Sequence, residues 1–227
     1  VISYPAPELV QGSDEGLLVE IAAVVFPEII LRDKATGKLR IWVQGNTPSE
    51  DLRDEAASRF QTTLGILRAW AADAGELAEE LRSGLGTGGV YDQHGNAWVM
   101  PPSIIARTTF GGEIEAFSEA ARLGMKKSLR LANSLWLNGR PNRNGADVYM
   151  IYEYAEKEFG GKDGIRGSIG LSAGDQKRLT SSANNLPALH GGRHAELGGH
   201  FTLDMHQLRS LASKLLRNWI ESHAGAQ

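Results

Sequence analysis

Leu17-Leu18-Val19-Glu20-Ile21-Ala22-Ala23-Val24-Val25-Phe26-Pro27-Glu28-Ile29-Ile30-Leu31 is the stretch on which the fold class turns. It is rich in Val and Ile, whose branched side chains suit a pleated surface. A polar segment follows, Asp33 to Lys38 with Gly37 near its end. Leu39, Ile41 and Val43 then alternate with Arg40, Trp42 and Gln44. A period of two marks a half-buried strand, so the two runs predict a β-hairpin. Working outward, residues 1–16 read as an irregular lead, with Pro5, Pro7 and Gly12. A second hairpin is expected where Val90-Tyr91 turns through Asp92 to Asn96 into Ala97-Trp98-Val99-Met100. Pro101 and Pro102 end it, and Ile104 to Phe110 adds one more strand.

Between the hairpins, Thr47-Pro48-Ser49-Glu50 carries the marks of a helix start: a capping hydroxyl, a proline at the first position and an acid three residues on. Leu52, Ala56, Phe60, Leu64, Leu67 and Ala71 follow at helical spacing, and a shorter helix is expected around Leu77 and Leu81. Helix then dominates. One helix is expected over Glu113 to Leu137, ended by Gly139. Another runs from Ala146 to Phe159, ended by Gly160-Gly161. A short one is capped by Ser172 and runs to about Ala183. The last is capped by Thr202 and carries the apolar stripe Met205, Leu208, Leu211, Leu215, Leu216, Trp219, Ile220. The expected class is α+β: N-terminal hairpins forming a small sheet with a long helix over residues 1–110, and a C-terminal helical bundle over 111–227.

The chain has 227 residues, enough for a substantial core, and 22% charged residues, which argues against wholesale disorder. A formal net charge of −3 excludes a strongly basic nucleic-acid coat. With no cysteine there is no disulfide, thiolate zinc site, iron–sulfur cluster or thiol nucleophile. No apolar run approaches the length of a membrane span, and the longest is Ile21 to Phe26. The first residues lack the cationic-then-apolar pattern of a signal peptide, so a cytoplasmic location is expected.

Charge is nonetheless distributed unevenly. Ala121 to Ala146 holds Arg122, Lys126, Lys127, Arg130, Arg140 and Arg143 and no acid, whereas Thr47 to Arg82 holds eight acids against four arginines. Arg122, Lys126 and Arg130 fall at i, i+4, i+8, one face of a single helix, and are expected to contact a polyanion. The bland alternative is a solvated or acid-paired face. Near the carboxyl end Asn184-Asn185, His190-Gly191-Gly192-Arg193-His194, His200 and His206 gather four of the six histidines. Glycine exposes backbone amides, arginine grips phosphate as a fork, and histidine shuttles protons near neutral pH. A folded glycine loop with a carbonyl-bonded histidine needs none of that chemistry. His190 and His194 have HxxxH spacing, but Gly191-Gly192 between them and the lack of a nearby HExxH acid argue against zinc. Gly84 to Gly89 matches GxGxxG with a helix entering and a strand leaving. That polarity is opposite to the one dinucleotide binding needs. Ile165 to Ala183 has the outline of a helix-turn-helix, with Arg166 and Gln176 at positions that normally hold small and apolar residues.

Two resemblances are carried by these residues. Asp147-Val148-Tyr149 through Phe159-Gly160-Gly161, Lys177-Arg178-Leu179, Ala183-Asn184-Asn185 and Gly192-Arg193-His194-Ala195 resemble the C-terminal part of uncharacterised bacterial proteins with an AN…GRHA loop, over about the last third of the chain. That likeness implies a bacterial cytoplasmic protein and no particular activity. Arg193 and His200, with six residues between them and His194 in the polar position, resemble the Arg…His motif of helical ribonuclease domains of the HEPN group. Arg217 and His223, with five residues between them, do so as well. The resemblance implies that Arg193, His194 and His200 bind and cleave an RNA phosphate without metal, across a homodimer.

Charge pattern and motifs together predict an intracellular binding or regulatory protein. Its anionic partner, RNA, DNA or an acidic protein, meets Arg122, Lys126, Arg130, Arg140, Arg143, Asn184, Asn185 and His190. The alternatives are the HEPN-like ribonuclease and a structural subunit of a larger assembly. Whether the chain is an enzyme stays open. No cofactor, metal or membrane contact is expected, and a homo-oligomer is allowed for by Trp219 near an apolar end.

Overall fold

The computed structural model describes residues 2–5, 15–26, 30–32, 39–43, 49–73, 90–91, 97–98, 111–140, 142–186, 190 and 203–224. Side chains are described for 17–26, 49–72, 113–140, 142–186, 190 and 203–224. The turns of both hairpins, the GxGxxG stretch, the expected helix at Leu77–Leu81 and the strand at Ile104–Phe110 lie outside the described residues, as do Thr47, Thr202, Arg193, His194 and His200.

The fold class departs from the α+β expectation. Among the residues with described side chains 88% are helical and none lies in a strand, so the folded body is helical. Backbone pairing does join short segments: β1 (Ile2–Pro5) and β2 (Ile30–Arg32) flank β3 (Leu39–Val43), both antiparallel, and β4 (Val90–Tyr91) pairs with β5 (Ala97–Trp98). The decisive stretch is the one that overturns the reading. Glu15–Val25 forms helix α1, with Leu17, Leu18, Ile21, Ala22 and Val25 buried and Ala23 exposed. Those buried positions recur at i, i+1, i+4, i+5 and i+8, a helical stripe. Packing of that stripe overrides the strand preference of its β-branched residues.

Seven further helices carry the described core: α2 (Glu50–Trp70), α3 (Gly111–Lys127), α4 (Leu129–Gly139), α5 (Gly145–Glu158), α6 (Lys162–Ile169), α7 (Ala173–Asn185) and α8 (Met205–Ala224). Ser49, not Thr47, caps α2, its hydroxyl accepting from the Leu52 amide at 3.3 Å. Glu50 and Asp51 in the first turn suit the positive end of the helix dipole. The single helix expected over Glu113–Leu137 is two. Ser128 turns extended (φ −132°, ψ 108°) and its hydroxyl accepts from the Leu131 amide at 3.1 Å, so the chain re-caps itself and changes direction. Asn144 and Asp147 form a reciprocal capping box for α5, and Gly160 and Gly161 end it at positive φ. Ser172 caps α7 as expected. For α8 the cap is Asp204, which accepts from the Gln207 amide at 2.8 Å.

The tightest crossing is α2 on α4. A Cβ on Gly65 would lie 1.8 Å from the Leu135 carbonyl oxygen, and one on Gly139 would lie 1.6 Å from that of Gln61. Glycine at both positions lets the two backbones touch. Gln61 Nε2 donates to the Trp136 carbonyl at 2.9 Å and Asn138 Nδ2 to the Gly65 carbonyl at 2.8 Å, which locks the register. On the other side α8 inserts Leu208, Ala212, Leu215, Leu216, Trp219 and Ile220 into the common core. Trp219 meets Phe159 edge-on, with ring centroids 5.4 Å apart. Gln176 sits at a core position in α7 because its amide is fully used. It accepts from the Tyr152 hydroxyl at 3.0 Å and donates to the Lys162 and Leu171 carbonyls, each at 3.0 Å.

Candidate functional site

Helix α4 ends against α2, α5 and α8, leaving carbonyls at its C-terminus that need donors. Arginines supply them. Arg68 of α2 donates through Nη1 to the carbonyls of Asn138 (2.7 Å) and Arg140 (2.9 Å). Arg143, in the turn between α4 and α5, donates to the Asn138 carbonyl (3.3 Å), the Ser213 hydroxyl (3.4 Å) and the Arg209 carbonyl (3.3 Å). Arg209 of α8 returns the contact, its Nε donating to the Arg143 carbonyl at 2.8 Å. Arg140 pairs with Asp147 at 2.5 Å and lies over the Trp136 ring, 5.9 Å from its centroid.

Four guanidinium groups thus surround one turn, and Asp147 is the only carboxylate bonded to them among the described residues. Arg143 is 2% exposed and Arg68 5%. Burial, then the like charges of Arg68 and Arg209, drives the Arg143 pKa well down, with Asp147 pulling the other way. Burial and then Arg209 push Arg68 down to about 10. Burial lowers Arg209 too, against the pull of Asp147. A guanidinium keeps its proton in proteins. The common direction expresses burial first and, for Arg143 and Arg68, the repulsion of neighbouring guanidinium groups second. The partial negative charge at the α4 C-terminus, about half an elementary charge, offsets part of that repulsion. Arg143 Nε is buried without a hydrogen-bond partner among the described residues.

The turn has neighbours from the carboxyl-terminal segment. A Cβ on Gly145 would lie 3.0 Å from the Ala183 carbonyl and 3.2 Å from that of His190. The end of α7, where Asn184 and Asn185 are half-buried, and the exposed His190 therefore sit against the start of α5. Of the residues expected to bind anions, Arg140, Arg143, Asn184, Asn185 and His190 gather in this region. Arg122, Lys126 and Arg130 do not share one helix face, because the break at Ser128 separates them. Arg122 pairs with Glu119 of its own helix, while Arg130, in the first turn of α4, reaches Glu158 of α5 at 3.0 Å. Arg122 and Lys126 instead border a cavity that Val25, Phe26, Met125 and Ala132 also line.

Arg68 and Arg209 are the site members that charge clustering in the sequence misses. Their signal is of another kind: each is a cation set among the buried apolar positions of a helix, Arg68 alone within Leu64 to Ala72 and Arg209 beside Leu208 and Ala212. Among the described residues there is no group of three or more His, Asp or Glu side chains able to hold a metal ion. No helix of the described residues is long and apolar enough to cross a membrane. No family model matches the chain, and no match to a curated protein or to a solved structure was found.

Proposed function

We propose that this chain is a cytoplasmic binding protein whose partner is anionic, and that the partner docks at the α4–α5 turn. The observation that carries the reading is the four-to-one excess, among the described residues, of guanidinium over bonded carboxylate around that turn, with part of it in a low-dielectric interior where unpaired charge is most costly. Arg140, whose side chain is 44% exposed, and the half-buried Arg209 are the groups a partner reaches. His190 and the two asparagines at the end of α7 belong to the segment that sits against the start of α5, and would add polar contacts to a partner there. The segment carrying Arg193, His194 and His200 follows directly in sequence.

Fluorescence anisotropy at low salt tests this, with labelled RNA, single-stranded DNA and polyglutamate as probes. At least one polyanion binds, and Arg140→Glu with Arg209→Glu weakens it by tenfold or more, because each reversal replaces attraction by repulsion. Undetectable binding of all three, or affinity unchanged in the double variant, refutes the reading.

A second reading, a metal-independent ribonuclease like the HEPN group, is favoured by one arrangement. Arg217 and His223 lie on the same helix of a helical body, with Asn218 in the polar position, and His223 Nε2 is buried without a partner among the described residues. Against it, Arg217 is engaged: it donates to the Trp70 carbonyl at 2.5 Å and to Glu221 at 2.9 Å, over the Phe117 ring. Purified protein that cleaves RNA in a chelator, and loses cleavage in His223→Ala or His200→Ala, selects this reading; absence of cleavage removes it.

A further inference from the structure

The cavity bordered by Arg122 and Lys126 has its own chemistry. It measures about 460 Å³ and lies where the end of α1 meets α2, α3 and α4. Val25 and Phe26 close one side, and Met125 and Ala132 another. The volume falls in the roughly 300–1,000 Å³ range of sites that enclose small organic ligands, and is too small for a two-chained lipid.

Cations stand at its border, and their pairing decides what it can take. Arg59 is bonded to Glu55, and Arg122 is held by Glu119, with Nε to Oε2 at 2.6 Å. Those two pairs are close to neutral. Lys126 is exposed and has no hydrogen-bonded carboxylate among the described residues, so its ammonium keeps donors for a ligand. Apolar walls with one available cation at the mouth among the described residues define a complementary molecule: an apolar body ending in a single negative head.

We propose that this cavity binds a small amphipathic monocarboxylate, its hydrocarbon part against Val25, Phe26, Met125 and Ala132 and its carboxylate on Lys126. The walls supply most of the affinity, since an exposed ammonium–carboxylate pair contributes little alone. The ammonium selects the sign of the head group. This site is distinct from the arginine turn and does not depend on the reading proposed for it.

Titration calorimetry with decanoate below its micellar concentration tests the proposal, with decyltrimethylammonium as the charge-reversed probe. The wild-type chain binds decanoate saturably at one site and the ammonium probe at least tenfold more weakly. Ala132→Trp, which fills the cavity from a half-buried position, abolishes binding. Ser58→Trp does the same from an exposed lining position, so a folding defect in one variant leaves the other as the test. Lys126→Glu weakens decanoate about tenfold, because attraction becomes repulsion, and improves binding of the ammonium probe. Arg140→Glu leaves decanoate binding unchanged, which separates this site from the turn. Absence of saturable binding to the wild-type chain overturns the proposal. So does binding that survives in folded filling variants, or that ignores head-group charge.

Discussion

Asp147 carries more than its share of the arginine turn. It accepts from the Asn144 amide at 3.0 Å to complete the α5 capping box, and it is the carboxylate that holds Arg140. Asp147→Ala removes both functions and leaves the surrounding guanidinium groups without the one carboxylate bonded to them among the described residues. The expected loss is about 1–2 kcal/mol, from a lost cap plus an ion pair whose carboxylate is buried and whose guanidinium is 44% exposed, read as a lower denaturant midpoint at unchanged m-value. A loss below about 0.5 kcal/mol, the size of an ordinary surface change, contradicts the electrostatic account. His223 makes the second residue-scale case. Its ring packs against Gly124, where a Cβ would lie 2.8 Å from the imidazole Cδ2. Burial, then Lys127, lowers its pKa below the ordinary value of 6.5, against an opposing pull from Glu158. A group whose folded pKa is depressed binds fewer protons folded than unfolded. Its stabilisation is therefore complete above pH 6.5 and fades as pH falls below that value. Melting temperatures followed from pH 7.5 to 5.5 fall for the wild-type chain, and the fall is smaller in His223→Gln. Identical profiles for the two proteins rule out this role. Such residues are only partly legible in a sequence. Arg140 and Arg143 stand out in an acid-free stretch, but nothing local says that Arg143 is buried, since its partners Asn138, Arg209 and Ser213 come from two other elements.

Among elements, the α2–α4 crossing sets the geometry of the arginine turn. Gly65 and Gly139 let the backbones meet, and the same contact brings Arg68 within reach of the α4 C-terminus. Gly65→Ala or Gly139→Ala drives a methyl into a backbone carbonyl, which cannot yield as a flexible side chain would. Each is expected to destabilise by about 3 kcal/mol or more, in the upper range for overpacking. Gly167→Ala is the contrast: a methyl on this exposed α6 glycine would meet nothing within 4 Å, and the change is expected to stabilise by up to about 1 kcal/mol. Thermal melts of the three variants check both signs, and a tolerated Gly65→Ala shows that the two backbones stand further apart than a glycine contact requires. The sequence makes Gly139 visible as a helix stop, which is where it lies. It conceals the reason, because close approach depends on a partner 74 positions away in the chain. The same limit explains α1. A run of Val, Ile and Leu satisfies both periods over a short window, and only the neighbours on α2 and α3 decide for helix. Ser128 is a milder case: its capping power is readable, but a smooth apolar stripe on both sides hides the break.

At the scale of the whole molecule, charge and site pull in opposite directions. The chain carries a formal −3, so a polyanion is repelled at long range and held only locally. Binding at the turn therefore engages a few cations, not a broad basic face. Counterion release then predicts a shallow salt dependence: with about two phosphates met by the reachable Arg140 and Arg209, log K against log salt has a slope of about −1 to −1.5 for a single strand. Arg140→Gln lowers that slope by somewhat less than one, the signature of a single lost phosphate contact. Arg122→Gln leaves it unchanged, because Arg122 is spent on Glu119 and borders the cavity beside α1 and α2, not the turn. A slope steeper than about −5, or one that responds to Arg122 as strongly as to Arg140, assigns the interaction to a diffuse surface. The physical reason for expecting the shallow value is the helical body itself, which divides the sequence's acid-free run between the end of α3, the start of α4 and the α4–α5 turn, and so permits only the last of these to act as a point of convergence.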